Sequence, residues 1–221
     1  AEALSQGGGG GGGGVGLGAQ GLDELTKRRV LQLPVWQDNY AYVLLPKEGG
    51  AALVDSPEAA PVIELLEREG RTLTHIFNTH HHPDHVGSNE ALAARYPGLE
   101  IWGSRYDAQH DRIPGQTRAL ADGETFVWGG QSCQVREVPG HTHGHILYAW
   151  EDGSVFVGDT LFYGGCGRLF EGSAEQLDRA LAQPSSTAAA NTSALSTDEQ
   201  CTNSTPRERM SSSAPAFSSA T

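Results

Sequence analysis

Cysteine and basic residues are both scarce in this chain of 221 residues. The cysteines are Cys133, Cys166 and Cys201, and their odd number and wide spacing argue against a disulfide framework or a thiolate zinc site. They favour a reducing compartment. Only 15 lysines and arginines oppose 27 acidic residues, giving a net charge of −12 and a pI near 5.1. That balance argues against nucleic acid or an anionic membrane as the main partner.

Long apolar segments are missing as well. No stretch stays apolar over the roughly 18 residues that a membrane-spanning helix needs. We therefore expect no membrane and no nucleic acid partner, and a monomer that acts on a small molecule. No signal or transit peptide is visible, but the sequence begins at Ala1 rather than at methionine. We expect a cytoplasmic protein, or a mitochondrial or plastid one if a transit peptide precedes this sequence.

Composition divides the chain into three parts. An unbroken glycine run covers residues 7–14, and we predict that residues 1–25 are a disordered glycine-rich segment. From Pro184 the chain is mostly Ser, Thr, Ala, Pro and Asn without apolar periodicity, so residues 184–221 are predicted to be a disordered tail. Residues 26–183 are then the single folded domain, long enough to bury a core.

Hydrophobic periodicity in the folded part changes repeatedly between the strand and the helix pattern, which predicts an α/β domain. Strands are predicted at Val30–Leu33, Tyr40–Leu45, Ala51–Asp55, Thr72–Asn78, Thr125–Trp128, Cys133–Val138, Ile146–Trp150 and Ser154–Val157. Helices are predicted at Glu58–Glu69, Asn89–Tyr96 and Ala174–Ala182, the last with Ser173 as its N-terminal cap.

Histidine is concentrated in two short segments. Seven of the nine histidines fall within residues 80–85 and 141–145. An acidic domain has no structural need to group its imidazoles in this way, so a metal site is the first hypothesis. Imidazole and carboxylate ligands together suit zinc, iron or manganese, and the sequence does not choose among these metals.

The first segment can face two neighbouring metal ions. His80 and His82 are two residues apart in what reads as an extended segment, so both project to one side. Pro83 favours a turn, and the adjacent Asp84 and His85 then diverge at its start. We predict that the two histidines bind one metal ion, and that Asp84 and His85 bind the second.

Two further pieces complete the predicted site. His141 lies in a loop with glycines on both sides, whose flexible backbone can bring the imidazole close to a metal. Asp159 follows a predicted strand, and its two carboxylate oxygens can bridge two cations. For His143 and His145 we favour a surface or hydrogen-bonding role. Asp55, at the end of a buried strand, is predicted to orient a ligand imidazole by a hydrogen bond.

The remaining histidines and one cysteine are assigned structural roles. His75 is interpreted as a strand residue, His110 as a surface residue, and His81 as a structural residue or one that supports the ligands. Cys166 lies between glycines without an obvious base nearby in the sequence, so we interpret it as a packing residue rather than a nucleophile.

In this order the pieces resemble the metallo-β-lactamase superfamily, whose signature is His-x-His-x-Asp-His, then a lone histidine, then a bridging aspartate. Within it the chain resembles glyoxalase II, the hydroxyacylglutathione hydrolases. The matching motifs are Asp38-Asn39-Tyr40, Asn78-Thr79-His80-His81-His82, Pro139-Gly140-His141-Thr142 and GDTLFYGGCGRLFEG at residues 158–172. The last motif is the most specific, and the resemblance covers roughly Leu31 to Gln183.

The resemblance implies an αβ/βα sandwich with the site at one edge, between two sheets. It assigns His80, His82 and His141 to one divalent metal ion, Asp84 and His85 to a second, and Asp159 to both. Zinc is the first choice of metal, with iron or manganese as alternatives, and Asp84 and Asp159 are taken as catalytic. The implied reaction cleaves S-D-lactoylglutathione to glutathione and D-lactate, a step of methylglyoxal detoxification. Arg168 would contact the glutathione part of this thioester, and Phe170 would contact the substrate nearby.

The chain departs from the family's pattern after Gln183. Family members continue with a Gly-His-Glu-Tyr-type motif, whose histidine completes the second metal site, and with a C-terminal helical domain that adds basic residues to the glutathione pocket. This sequence has no histidine after His145. We therefore expect a sandwich that is incomplete at its C-terminal end, a weakly held second metal and an impaired thioesterase.

Two other functions stay open at this point. One is a persulfide dioxygenase, which shares the histidine pattern but binds a single iron, or another hydrolase of the metallo-β-lactamase fold. The other is a non-catalytic product that binds metal or a partner, which aggregation of the purified chain would favour.

Overall fold

The computed structural model describes residues 28–187, with side chains described as far as Ala182. The predicted glycine-rich segment 1–25 and the tail beyond Thr187 lie outside the described residues. The strands are β1 Arg29–Val35, β2 Asn39–Leu45, β3 Ala51–Val54, β4 Leu73–Phe77, β5 Glu100–Ser104, β6 Arg118–Leu120, β7 Thr125–Trp128, β8 Gln131–Glu137, β9 Ile146–Trp150 and β10 Val155–Phe156. The helices are α1 Ala60–Glu69, α2 Pro83–Val86, α3 Asn89–Arg95, α4 Arg105–Gln109 and α5 Ala174–Thr187, with a short 3-10 turn at Gly158–Thr160.

Two sheets form the centre of the described domain. The first has the order β1-β2-β3-β4-β5-β6, antiparallel from β1 to β3 and parallel from β3 to β6. The second is antiparallel, in the order β10-β9-β8-β7. Because β3 and β4 are parallel neighbours, their carboxyl ends meet at one edge of the first sheet. Such an edge is where open α/β sheets bind their ligands.

Three apolar clusters separate four layers. Phe77 of β4 packs between the two sheets, whereas its neighbour Ile76 faces the other way, toward α1 and α3. This alternation follows from the two-residue period of a strand whose two faces are both buried. On the outer face of the second sheet, a smaller cluster of β9 and β10 side chains packs against Ala180 of α5. The layers run helix, sheet, sheet, helix, so the predicted αβ/βα sandwich is confirmed.

Helix α1 shows how the sequence produces these layers. Pro61 lies in its first turn, where the missing N–H has no helical partner to lose. Three buried side chains, Val62, Leu65 and Leu66, recur at helical spacing and join the cluster on the first sheet. Gly70 ends the helix in the left-handed conformation at φ 63°, and its N–H donates to the Glu67 carbonyl at 3.1 Å.

Two parts of the domain differ from the prediction. β5, α4 and β6 were not predicted, because β5 is interrupted by Gly103 and β6 has three residues. β5 pairs in parallel with β4, and β6 pairs in parallel with β5, so pairing with an earlier segment decides the conformation of both strands. Helix α5 runs to Thr187, beyond the predicted end at Ala182. Its predicted cap is confirmed, since Ser173 and Gln176 exchange side-chain hydrogen bonds of 2.8 and 3.3 Å. Within residues 28–187 no helix is long and apolar enough to cross a bilayer.

Replacing Phe77 tests the core between the sheets. Its side chain is 0% exposed, and its ring lies 5.4 Å from Trp102 and 5.5 Å from both Phe126 and Tyr148. We expect Phe77→Ala to lower the free energy of unfolding by about 3–5 kcal/mol, through lost burial and a residual cavity. Urea unfolding followed by circular dichroism measures this loss. Tyr163→Ala is the control, since Tyr163 is 83% exposed and should change stability by less than about 0.5 kcal/mol. Equal losses in both variants would contradict the layered core.

Candidate metal centre

The first histidine segment follows the carboxyl end of β4. The backbone bends at Thr79 and His80 instead of staying extended, yet the rings of His80 and His82 share one side with centroids 4.7 Å apart. His82 immediately precedes α2, with φ −63° and ψ 147°. Asp84 and His85 lie within that helix, so α2 directs the second pair of predicted ligands.

The first group of predicted ligands converges on one point. His82 Nδ1 lies 3.0 Å from His80 Nε2 and 2.9 Å from His141 Nε2. His141 Nε2 is 3.2 Å from Asp159 Oδ2. One ligand atom from each of these four residues lies within 4.8 Å of all the others. Three ring nitrogens and a carboxylate oxygen are ligands of the type and number that a cation such as zinc takes.

The second group shares Asp159 with the first. His85 Nε2 lies 3.1 Å from Asp159 Oδ1 and 3.2 Å from Asp84 Oδ2. The ligand atoms of Asp84, His85 and Asp159 again lie within 4.8 Å of one another. Asp159 turns one oxygen to each group, which is the arrangement that a bridging ligand would need. Asn39, the first residue of β2, donates to Asp84 Oδ2 at 3.1 Å and holds that carboxylate.

Hydrogen bonds at Nδ1 of His141 and His80 leave the Nε2 atoms of these two rings to face the other ligands. His141 Nδ1 lies 2.6 Å from the Arg168 carbonyl, and His80 Nδ1 lies 3.1 Å from Thr79 Oγ1. The proton of each ring is then on Nδ1, and the lone pair is on Nε2. The buried Nε2 of His85 has no hydrogen-bond partner among the described residues. The donor atoms therefore fit divalent metal ions.

Asp55 contacts residues of both ligand groups on the side away from the converging atoms. Its Oδ2 lies 3.0 Å from His85 Nδ1 and accepts a hydrogen bond from the Thr79 hydroxyl at 2.7 Å. Its Oδ1 accepts the Thr79 N–H at 2.9 Å. Asp55 thus contacts His85 directly and His80 through Thr79, which is where a residue that orients these imidazoles would lie. It adopts φ 47°, a conformation that costs energy for a non-glycine residue and that these hydrogen bonds maintain.

The electrostatics of the two groups differ. Burial, followed by repulsion from neighbouring histidines, lowers the pKa of His80 and brings that of His82 to about 4, so both imidazoles are neutral. For His85 burial opposes the charge, but the carboxylates of Asp159 and Asp55 outweigh it and raise its pKa well above the ordinary value. A proton on His85 and a divalent cation therefore compete for the same carboxylates.

His145 is part of the site, although the sequence did not separate it from an ordinary hydrogen-bonding residue. The ring is completely buried and stacks on His80 at 4.7 Å, and its Nε2 accepts the Asp159 N–H at 3.1 Å. Gly158 makes this approach possible. A Cβ there would lie 2.4 Å from Thr79 Oγ1 and 2.9 Å from the His145 ring, and its φ is 47°. In the sequence, the glycine directly before Asp159 was the one indication that another side chain packs closely there.

The two predicted substrate residues lie on the loop after the 3-10 turn. Phe170 is 59% exposed, and its ring stands edge-on to those of His82 and His141 at 5.0 and 5.3 Å. The exposed guanidinium of Arg168 lies 5.5 Å from the Phe170 ring centroid. An aromatic face and a cation are thereby placed beside the first ligand group.

The other histidines lie outside both ligand groups. His75 is in β4 and accepts a hydrogen bond from the Trp128 indole at 3.0 Å. His110 is exposed and stacks on Tyr106, whose ring also meets that of His143 edge-on. His81 points away from the ligands, and its Nδ1 lies 3.5 Å from Asp107. Their predicted structural roles match these positions.

Comparison with known proteins places this geometry in a family. The family model described as "Metallo-beta-lactamase superfamily" matches residues 35–201. The chain belongs to that superfamily. It is 54% identical over 157 residues to the hydroxyacylglutathione hydrolase of Synechococcus sp. (strain JA-2-3B'a(2-13)), covering 70% of this chain and 62% of the relative. The predicted resemblance to hydroxyacylglutathione hydrolases is confirmed, and the chain spans about three fifths of the length of these curated relatives, 62% and 59% for two of them.

Solved structures of the superfamily share the fold. ETHE1 from Myxococcus xanthus matches with a TM-score of 0.59 and 29% identity, over 71% of this chain and 68% of that protein. TTHA1623, solved in a di-iron-bound form, matches with a TM-score of 0.58 and 26% identity, over 70% of this chain and 85% of that protein. Together with the superfamily, the two ligand groups indicate a dinuclear site for divalent metal ions.

Removing the charge of Asp55 tests the support of this site. Asp55→Asn keeps a residue type that tolerates positive φ, but its amide nitrogen cannot accept the hydrogen bond from His85. We expect metal affinity to fall about 10–100-fold, as when other partners of metal-ligating histidines are removed. Competition with a chromophoric chelator measures the affinity. Asp178→Asn, an exposed position on α5, is the matched control. Unchanged affinity in Asp55→Asn would refute the orienting role.

Proposed function

We propose that this chain is a metal-dependent thioester hydrolase that cleaves S-(2-hydroxyacyl)glutathione, with S-D-lactoylglutathione as the substrate and glutathione and D-lactate as products. The observation that carries the proposal is the pair of ligand groups joined by Asp159, beside a loop that presents Arg168 and Phe170. The 54% identity to a protein named hydroxyacylglutathione hydrolase supports the choice of substrate.

Two divalent metal ions are the proposed cofactors, with zinc as the first choice and iron or manganese as alternatives. His80, His82 and His141 would hold the first ion, Asp84 and His85 the second, and Asp159 both. The first group offers four donor residues and the second offers three among the described residues. Zinc prefers four ligands, so the first ion should be held more tightly than the second.

The chemistry divides between the ions and the side chains that hold them. When bound, two divalent cations lower the pKa of a shared water toward neutrality and polarise a carbonyl oxygen. Burial opposes the charge of Asp84, but the neighbouring charge of His85 and the hydrogen bond from Asn39 outweigh it and lower the pKa of Asp84, so this carboxylate stays ionised. As an acceptor beside the bridging Asp159, it can orient a water for attack on the thioester carbonyl. These two carboxylates are the proposed catalytic residues.

The substrate is positioned by the loop next to the first ligand group. The exposed Arg168 can pair with a carboxylate of the glutathione moiety, and Phe170 offers an apolar wall beside His82 and His141. A thiol has a pKa of about 8.5, so the departing thiolate needs little help from an acid. The proposed reaction therefore requires no general acid on the leaving-group side.

Hydrolysis of S-D-lactoylglutathione by the metal-loaded chain tests the reaction. We expect a measurable rate that is low for the family, because the second group has only three donor residues in the described chain. Asp84→Asn should reduce kcat by about 100-fold or more, since the acceptor for the attacking water is lost. Arg168→Gln should instead raise KM and leave kcat nearly unchanged.

Other outcomes separate the competing functions. No hydrolysis at full metal occupancy would reject the thioesterase and leave a non-catalytic metal-binding protein. A single tightly bound iron, together with oxygen consumption on glutathione persulfide, would instead identify a dioxygenase.

Metal content tests the cofactor proposal independently of activity. On the purified monodisperse chain we expect two metal ions per molecule at saturating zinc, with the second removed first by a weak chelator. His85→Ala should abolish binding of that second ion and leave the first in place. Elemental analysis after stepwise dialysis measures both occupancies. One ion in the parent chain under all conditions would contradict the dinuclear assignment.

A further inference from the structure

A second polar network lies outside the two ligand groups and joins three loops. Arg112, which follows α4, donates from Nη1 to Glu171 Oε2 at 3.1 Å, and its Nη2 donates to Glu171 Oε1. The same Nη2 lies 2.6 Å from His81 Nε2. On the other side of Arg112, its Nε lies 3.8 Å from the buried carboxylate of Asp107. One guanidinium therefore contacts the α4 region, the histidine run and the loop that ends at Gly172.

Glu171 fastens that loop to the loop carrying His141. Its Oε2 accepts the backbone N–H of His143 at 2.8 Å. On either side of it, the Phe170 N–H donates to the His141 carbonyl at 3.2 Å, and the Gly172 N–H donates to the Gly140 carbonyl at 3.0 Å. The side chain of Glu171 thus supplements a short stretch of backbone pairing between the two loops.

Burial makes this ion pair different from an ordinary surface pair. The side chains of Arg112 and Glu171 are only 22% and 23% exposed, and the contact is bidentate. By comparison, the pair formed by Arg95 and Glu67 has side chains 52% and 62% exposed and a single contact of 3.3 Å. Exposed ion pairs contribute little to stability. A partly buried, bidentate contact between a guanidinium and a carboxylate fixes the relative position of the two side chains. The chain therefore carries its own matched control.

The position of the pair connects it to the substrate loop. Glu171 directly follows Phe170, whose ring lies against His82 and His141. The Arg168 carbonyl, three residues earlier, is hydrogen-bonded to His141 Nδ1. Residues 163–164 and 168–170 of the loop are otherwise exposed to solvent. Fixing Glu171 therefore fixes where the cation and the aromatic face are presented.

We propose that Arg112 and Glu171 are positioning residues that hold the loop of Arg168 and Phe170 in its substrate-binding arrangement. Neither touches the reacting atoms, so the pair acts on recognition of the glutathione moiety and not on the chemical step. The assignment of the substrate rests on the proposed function. The ordering of the loop does not, and it has a readout of its own.

Hydrogen exchange tests the ordering of the loop without any substrate. In Glu171→Gln and in Arg112→Gln we expect the amides of His143, Phe170 and Gly172 to exchange at least about tenfold faster, because the charged contact that holds them closed is lost. The control Glu67→Gln removes the exposed pair and should leave these amides unchanged. Protection that is the same in all variants would overturn the proposal, whatever the chain hydrolyses.

Kinetics on S-D-lactoylglutathione distinguish positioning from a general loss of structure. Both variants should raise KM about tenfold with kcat within about twofold and with metal content unchanged. The double variant should add no further effect, because the two residues act as one contact. Arg112→Lys should bind the substrate better than Arg112→Gln but less well than the parent chain, since lysine keeps the positive charge but cannot make the bidentate contact. Loss of metal, or a fall in kcat with KM unchanged, would overturn the role in substrate positioning.

Binding of S-methylglutathione, a thioether that cannot be hydrolysed, separates failure of this proposal from failure of the proposed function. A parent chain that binds it, with about tenfold weaker binding in Glu171→Gln, supports positioning even if hydrolysis is slow. A parent chain that neither binds the thioether nor cleaves the thioester rejects the proposed substrate. Hydrogen exchange then decides alone whether the pair orders the loop.

Discussion

A buried imidazole can present one nitrogen to a metal ion at low cost only if its other nitrogen has a hydrogen-bond partner. Asp55 is the centre of that arrangement. Its carboxylate lies against His85 and receives both the hydroxyl and the N–H of Thr79, through which it also fixes His80. Without such an acceptor, buried donors would be unpaired and the imidazoles would be free to rotate or change tautomer. The metal site therefore depends on one carboxylate that is not itself a predicted ligand.

The sheet explains why Asp55 is available at this place. β3 and β4 are parallel neighbours, with Leu53 opposite Ile76 and Val54 opposite Phe77. Asp55 and Asn78 are the residues that follow at the carboxyl ends of these strands. Burial of both sheet faces by the two large apolar clusters holds the strands in register. The aromatic packing around Phe77 therefore holds the strand ends in the place where Asp55 makes its hydrogen bonds.

Two kinds of polar network serve two tasks in this domain. Around the first ligand group, His80 and His82 are neutral imidazoles, and in the second group the ionised Asp84 lies beside His85. Beside these ligand groups, Arg112 and Glu171 form a shielded ion pair that supports a loop otherwise open to solvent. The first network supplies donor atoms for divalent metal ions, and the second adjoins the loop of Arg168 and Phe170.

The sequence by itself determined the ligand types and much of the layering. The spacing of His80, His82, Asp84 and His85 and the strand periods around them are local patterns, and local patterns follow from backbone geometry. Contacts between segments that are distant in the sequence could not be predicted from such local patterns. The buried role of His145, the hold of Asn39 on Asp84 and the link between Arg112 and Glu171 join residues 14 to 59 positions apart. The strands β5 and β6 likewise exist because of pairing with a distant neighbour. Only tertiary structure decided these features, because hydrogen bonds and parallel pairing depend on where folding places a partner and not on the residue's own neighbours.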